Sequence, residues 1–104
     1  MYDLYKLLHS YQPRIPKSER YTFWQKCGTT TLSLLEALIE TGHQKGEDPV
    51  QSLYPISNKL DLLKVFIRLA KDTRTIDNPQ YLEIQTIVQE IGRMIGGWIK
   101  SVPH

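Results

Sequence analysis

A chain of 104 residues, 40% apolar and 23% charged, is the size of one small domain. Its thirteen basic and eleven acidic side chains leave a formal charge of +2, too little to signal nucleic-acid binding unless the cations cluster on a surface. A lone cysteine, Cys27, excludes an internal disulfide, and with His9, His43 and His104 scattered along the chain it offers no paired zinc-ligand spacing, so no metal or other cofactor is expected. No apolar run of about eighteen residues occurs, and the N-terminus mixes apolar residues with Asp3 and Lys6; a cytoplasmic protein without membrane span or signal peptide is expected. A domain this small buries only about two-thirds of its unfolded surface, which leaves oligomerisation as the open source of further burial.

Prolines and glycines divide the chain into four segments with helical spacing of apolar residues. The first, 2–11, carries Leu4, Leu7, Leu8 and Tyr11 on one face and is ended by Pro13 and Pro16. The second, about 18–42, has Ser18 as N-cap and Glu19 in the first turn; Trp24, Cys27, Thr31, Leu35, Leu38 and Gly42 form its stripe, flanked by Leu34 and Ile39. Its run Gly28, Thr29, Thr30, Thr31 is poor helix material, so packing must hold it. Asp48 before Pro49 opens the third segment, 49–73, in which Pro55 predicts a kink or a later start of the regular helix. Asn78 before Pro79 opens the fourth, 79–100, with Ile84, Ile87, Val88, Ile91, Met94, Ile95 and Trp98 as its stripe, and residues 102–104 should fray. No period-two strand pattern occurs. The expected fold is a single all-α domain over 1–104: an up-down-up-down four-helix bundle with a short first helix and three long ones of roughly 33–39 Å.

On a helical wheel the third segment is unusual. Ile56, Leu60, Leu63, Ile67 and Ala70 make one stripe, and Leu62, Val65, Phe66 and Leu69 make a second beside it; together they span on the order of 220°, against about 100° for a surface helix. A kinked helix meeting three neighbours could use that width, but contiguous exposed apolar surface more often marks an interface, which makes Leu62, Phe66 and Leu69 candidate oligomer contacts. The remaining arc carries Lys64, Arg68 and Lys71 in one line, with Asp61 and Asp72 close enough to pair with them. Such a stripe is often only a solvated face. Copied around a symmetry axis, it becomes a substantial positive field. Lys59 falls within the apolar arc and should reach outward along its stem.

The fourth segment holds three interior glycines, each about 1 kcal/mol worse for a helix than alanine. Gly92 and Gly96 lie one turn apart and would admit a neighbouring backbone or ring, with Trp98 as a packing anchor. Catalytic chemistry is sparse: HExxH, P-loop, GxSxG and dinucleotide fingerprints are absent, and Cys27 lies on a core stripe where a thiol behaves as a small hydrophobe. Glu40 with His43 has the Glu-x-x-His spacing of a di-metal bundle but stands alone. An enzyme is not expected.

The blocks PKSERYTF at 16–23, IRLAKD at 67–72 and above all IGRMIGGWIKS at 91–101 make the chain similar to the accessory variability determinant (Avd) proteins of diversity-generating retroelements. These lie within the broader four-helix-bundle family that includes proteins encoded in ribosomal-RNA intervening sequences. The resemblance implies a homopentameric barrel that binds RNA, and DNA as well, through basic surfaces and associates with a reverse transcriptase to support mutagenic cDNA synthesis. It carries Arg68 and Lys71 onto the basic positions of the RLAKD block and Arg93 onto the arginine of the GRM block. Lys64, Arg74 and Lys100 are secondary candidates for nucleic-acid or polymerase contact. The alternative is a structural or protein-interaction bundle of the intervening-sequence family with no nucleic-acid role.

Overall fold

The computed structural model describes residues 1–43 and 49–101. These are helical apart from short connections: α1 (Tyr2–Tyr11), a 3-10 turn (Gln12–Arg14), α2 (Lys17–Arg20), α3 (Phe23–His43), α4 (Pro49–Asp72) and α5 (Asn78–Ser101). No strand occurs among the described residues. The molecule measures 46 × 21 × 18 Å. The two short dimensions are each about two helix diameters, so the cross-section is two helices by two.

Around that cross-section α1 packs on α3 and α5, and α4 packs on the other side of both. The pairings run antiparallel: Tyr5 lies at Gly28, Lys59 donates to the Ser33 hydroxyl at 2.8 Å, Leu60 faces Gly92 and Lys71 faces Tyr81. The expected up-down-up-down order therefore holds. Lys59 is exposed and reaches its partner at the rim, as its place in the apolar arc requires.

The core is built where stripes from four helices meet. Leu4 and Leu8 of α1, Trp24, Cys27 and Leu34 of α3, Ile56, Leu60, Leu63, Ile67 and Ala70 of α4, and Ile84, Val88, Ile91 and Ile95 of α5 are all buried, with Ile15 and Ile76 closing one end. The Trp24 indole N–H would be orphaned there, but it donates to the Leu8 carbonyl at 3.2 Å. The threonines of α3 are accommodated similarly: the Thr31 hydroxyl donates to the Cys27 carbonyl at 2.9 Å and that of Thr41 to Ala37 at 2.8 Å.

Several expectations are corrected. The second segment is not one helix over 18–42. A one-turn α2 ends at Arg20, Tyr21 leaves helical dihedrals (φ −105, ψ 8), and α3 starts at Phe23. Arg20 explains the break, because its Nη2 reaches back to the carbonyls of Pro13 and Ile15 at 3.4 and 3.3 Å and ties α2 to the preceding turn. The cap of α2 is Pro16, not Ser18. On α3 the buried line runs Trp24, Cys27, Thr31, Leu34, Thr41; Leu35 and Leu38 are half-buried, and Gly42 and Ile39 are exposed. A ten-residue α1 is about 15 Å long, so it covers only the N-terminal half of α3, and the distal half turns toward α4 instead. On α5, Met94 is 68% exposed instead of lying in the core.

Helix α4 begins at Pro49, so Pro55 does not delay its start. Pro55 sits on an exposed side, where water can meet the Gln51 carbonyl that loses its i+4 donor. The opening of α5 is capped one residue earlier than Asn78. Asp77 Oδ1 accepts the Gln80 N–H at 2.8 Å, and Gln80 Oε1 accepts the Asp77 N–H at 2.9 Å, a reciprocal capping box that explains why Gln80 is buried. The Asp48 opening signal and the fraying tail at 102–104 lie outside the described residues, as does the His43 side chain of the Glu40–His43 pair.

Candidate functional site

The cation line of α4 follows from its wheel. With the core stripe turned inward, Lys64 and Arg68 emerge on the exposed side, while Lys71 is half-buried. The two acids in that arc take the first two cations: Lys64 Nζ lies 3.6 Å from Asp61 and Arg68 Nε lies 3.4 Å from Asp72. Exposed i,i+3 and i,i+4 pairs of this kind contribute about 0–1 kcal/mol, so both cations stay available to a stronger anion. Lys71 is held differently. Its ammonium stands 4.7 Å from the centre of the Tyr81 ring, a cation–π contact that fixes it at the α4–α5 seam.

The fold divides the six candidate cations. Lys64 and Arg93 share a groove of about 340 Å³ between α4 and α5. Lys71 and Arg74 share a larger cleft of about 520 Å³ at the α4–α5 turn. Arg68 lines neither and points its ion pair to solvent, and Lys100 lies at the opposite end of α5, about 30 Å of helix away from that turn. Arg14, which sequence spacing gave no reason to select, forms the far wall of the larger cleft. Only the packing of the α1–α2 turn against the start of α5 brings it there.

The turn itself is a complete C-terminal cap. Arg74 N–H bonds the Lys71 carbonyl at 3.0 Å and Thr75 N–H bonds the Ala70 carbonyl at 2.8 Å, closing the last carbonyls of α4. This geometry requires a left-handed residue, and Arg74 supplies it with φ 60. Glycine or asparagine is the usual occupant.

The candidate oligomer stripe is partly consumed within the chain. Leu62 and Leu69 are each 45% exposed and Val65 is 61% exposed, but Phe66 is half-buried, its ring edge-on to Phe23 at 6.0 Å. Phe66 is therefore an intrachain contact first. The glycines divide too. A Cβ at Gly92 would stand 3.5 Å from Lys64 Nζ and 3.7 Å from Leu60 Cδ2, so α4 and α5 do approach closely there. At Gly96 nothing lies within 4 Å, so the expected close packing is absent within the chain. Trp98 is half-buried and packs against the core.

The remaining chemistry is quiet. The Cys27 thiol is fully buried and burial pushes it up to about 12, the opposite of an activated nucleophile. The Tyr11 phenol is pushed up by burial and by donating to the Glu83 carboxylate. Among the described residues no three His, Cys, Asp or Glu side chains gather as metal ligands would, and no helix is long and apolar enough to cross a membrane.

A family profile described as bAvd-like matches residues 1–102. The chain belongs to the bAvd-like family. The match spans all five helices, so it agrees with the resemblance carried by the three sequence blocks and extends it to α1. Comparison with curated proteins and with solved structures gave no match. In this bAvd-like chain, the positions that the resemblance singled out, Arg68, Lys71 and Arg93, lie on α4 and α5.

Proposed function

We propose that this protein is a non-enzymatic accessory factor of a diversity-generating retroelement, a homo-oligomer that binds RNA through basic surfaces and associates with the element's reverse transcriptase during mutagenic cDNA synthesis. The observation that carries the reading is the bAvd-like match over residues 1–102. Lys64, Arg68, Lys71, Arg74 and Arg93 on α4, α5 and their connecting turn support it, since a modest stripe becomes a strong field when repeated in a ring. The exposed Leu62, Val65 and Leu69 supply apolar surface for such a ring.

The pairing of Lys64 and Arg68 with Asp61 and Asp72 favours the second reading, a protein-interaction bundle with no nucleic-acid role. Titration of the protein with single-stranded RNA across salt concentration separates the two. Phosphate neutralisation must give log affinity that falls linearly with log salt, by about 0.7 per phosphate contacted. Alanine at both Arg68 and Lys71 is expected to weaken binding to the same extent for all sequences and to leave the helical circular dichroism unchanged. Absent or salt-insensitive binding by the wild-type protein rejects the first reading.

A further inference from the structure

We infer that the cleft between Arg14, Lys71 and Arg74 is a phosphate site that holds one phosphodiester of a bound RNA strand. This site presupposes the nucleic-acid role proposed above and narrows it to one place.

Three separate elements supply the cations. Arg14 comes from the turn after α1, Lys71 from the last turn of α4 and Arg74 from the residue that caps it, and all three line one cleft of about 520 Å³. The one carboxylate in the lining, Asp77, is engaged at Oδ1 by the Gln80 N–H at 2.8 Å. Both ion pairs among the described residues lie elsewhere, on Lys64 and Arg68. Two positive charges in excess therefore remain without a carboxylate partner. The Asn78 amide adds a neutral polar group to the lining beside Pro16 and Ile76, and it is the excess of positive charge that suits the cleft to an anion.

Arg74 contributes a second argument. Its φ of 60 places a β-carbon in the left-handed region, where that atom crowds the carbonyl, in a cap that glycine would complete with the same two backbone bonds. A long cationic side chain at this position weakens the turn. The cleft beside it gives that side chain a use.

The two arguments make opposite predictions for one variant, Arg74→Gly. Relieving the turn should raise Tm by about 3–6 °C at fixed protomer concentration. Losing the cation should lower affinity for polyuridylate about fivefold at about 0.1 M salt and make the slope of log affinity against log salt shallower by about 0.7. Arg14→Ala should lose the same increment of slope, and Lys26→Ala, which removes an exposed cation on α3, should not. Wild-type protein that shows no salt-dependent binding of polyuridylate overturns the nucleic-acid role and this site together. Wild-type binding with an unchanged slope in Arg74→Gly overturns the site alone. So does a Lys26→Ala loss equal to that of Arg74→Gly, which makes the effect one of net charge, or a fall in Tm for Arg74→Gly, which makes the arginine structural.

Discussion

Two buried acids hold their protons more tightly in the folded chain than in the unfolded one. The Cys27 thiol, with no accessible surface, is raised by burial from an ordinary value of 9.0 to about 12, and the Tyr11 phenol is raised above 10.0 by burial and its bond to Glu83. Above pH 9 the unfolded thiol releases its proton while the folded one keeps it, so the unfolded state binds fewer protons and stability falls as pH rises. The stabilisation is fully present below pH 9 and is lost as pH climbs toward about 12. The denaturant midpoint is expected to decline above about pH 9, with the thiol contributing at most about 1.4 kcal/mol per pH unit. Cys27→Ala should remove the decline between pH 9 and 10 and make the profile shallower from there to about pH 12, where the part that remains belongs to Tyr11. A variant whose profile coincides with wild type across that interval would show that the thiol does not titrate with unfolding.

Helix ends depend on single residues, and α5 shows how closely. The N–H of Gln80 has no intrahelical partner and would be left bare without Asp77, so Asp77→Ala should cost about 1 kcal/mol and lower Tm by about 4–8 °C. Asp77→Asn, which keeps an acceptor, should retain most of that stability, and thermal unfolding followed by the helical circular dichroism signal compares the two. Elements of this kind also mark how much the sequence could reveal. The inward stripe of α4, Ile56 through Ala70, is legible from period alone, because α4 is flanked along its length by α3 and α5 and its facing side never changes. The stripe of α3 is not, since its neighbours differ between its two halves and the length of α1 decides where the change falls. The break before Phe23 was hidden for a similar reason: Arg20 ends α2 by gripping carbonyls in the preceding turn, an interaction that helical periodicity does not encode. Arg14 was invisible as a partner of Lys71 and Arg74 because tertiary packing alone joins them.

At the scale of the whole molecule, two features have no use inside one chain. Leu62, Val65 and Leu69 recur at i, i+3 and i+7 on the outer side of α4, and Gly96 and Gly97 weaken α5 where nothing lies within 4 Å of an added Cβ. In an isolated protomer, alanine at Gly96 should stabilise α5 by about 1 kcal/mol through helix propensity, with no steric objection. In an assembly that seats a neighbouring subunit against this glycine, the same methyl group would collide and lower the stability of the oligomer. The sign of the Tm change for Gly96→Ala, followed over a range of protomer concentrations, therefore distinguishes a free surface from an occupied one. Leu62→Ser combined with Leu69→Ser provides the complementary measurement. Both leucines are 45% exposed and stand outside the buried core, so the helical signal should persist while light scattering at micromolar concentration shifts from oligomer to monomer. An oligomer that survives the double substitution but is destabilised by Gly96→Ala would move the interface from the outer side of α4 to the distal half of α5.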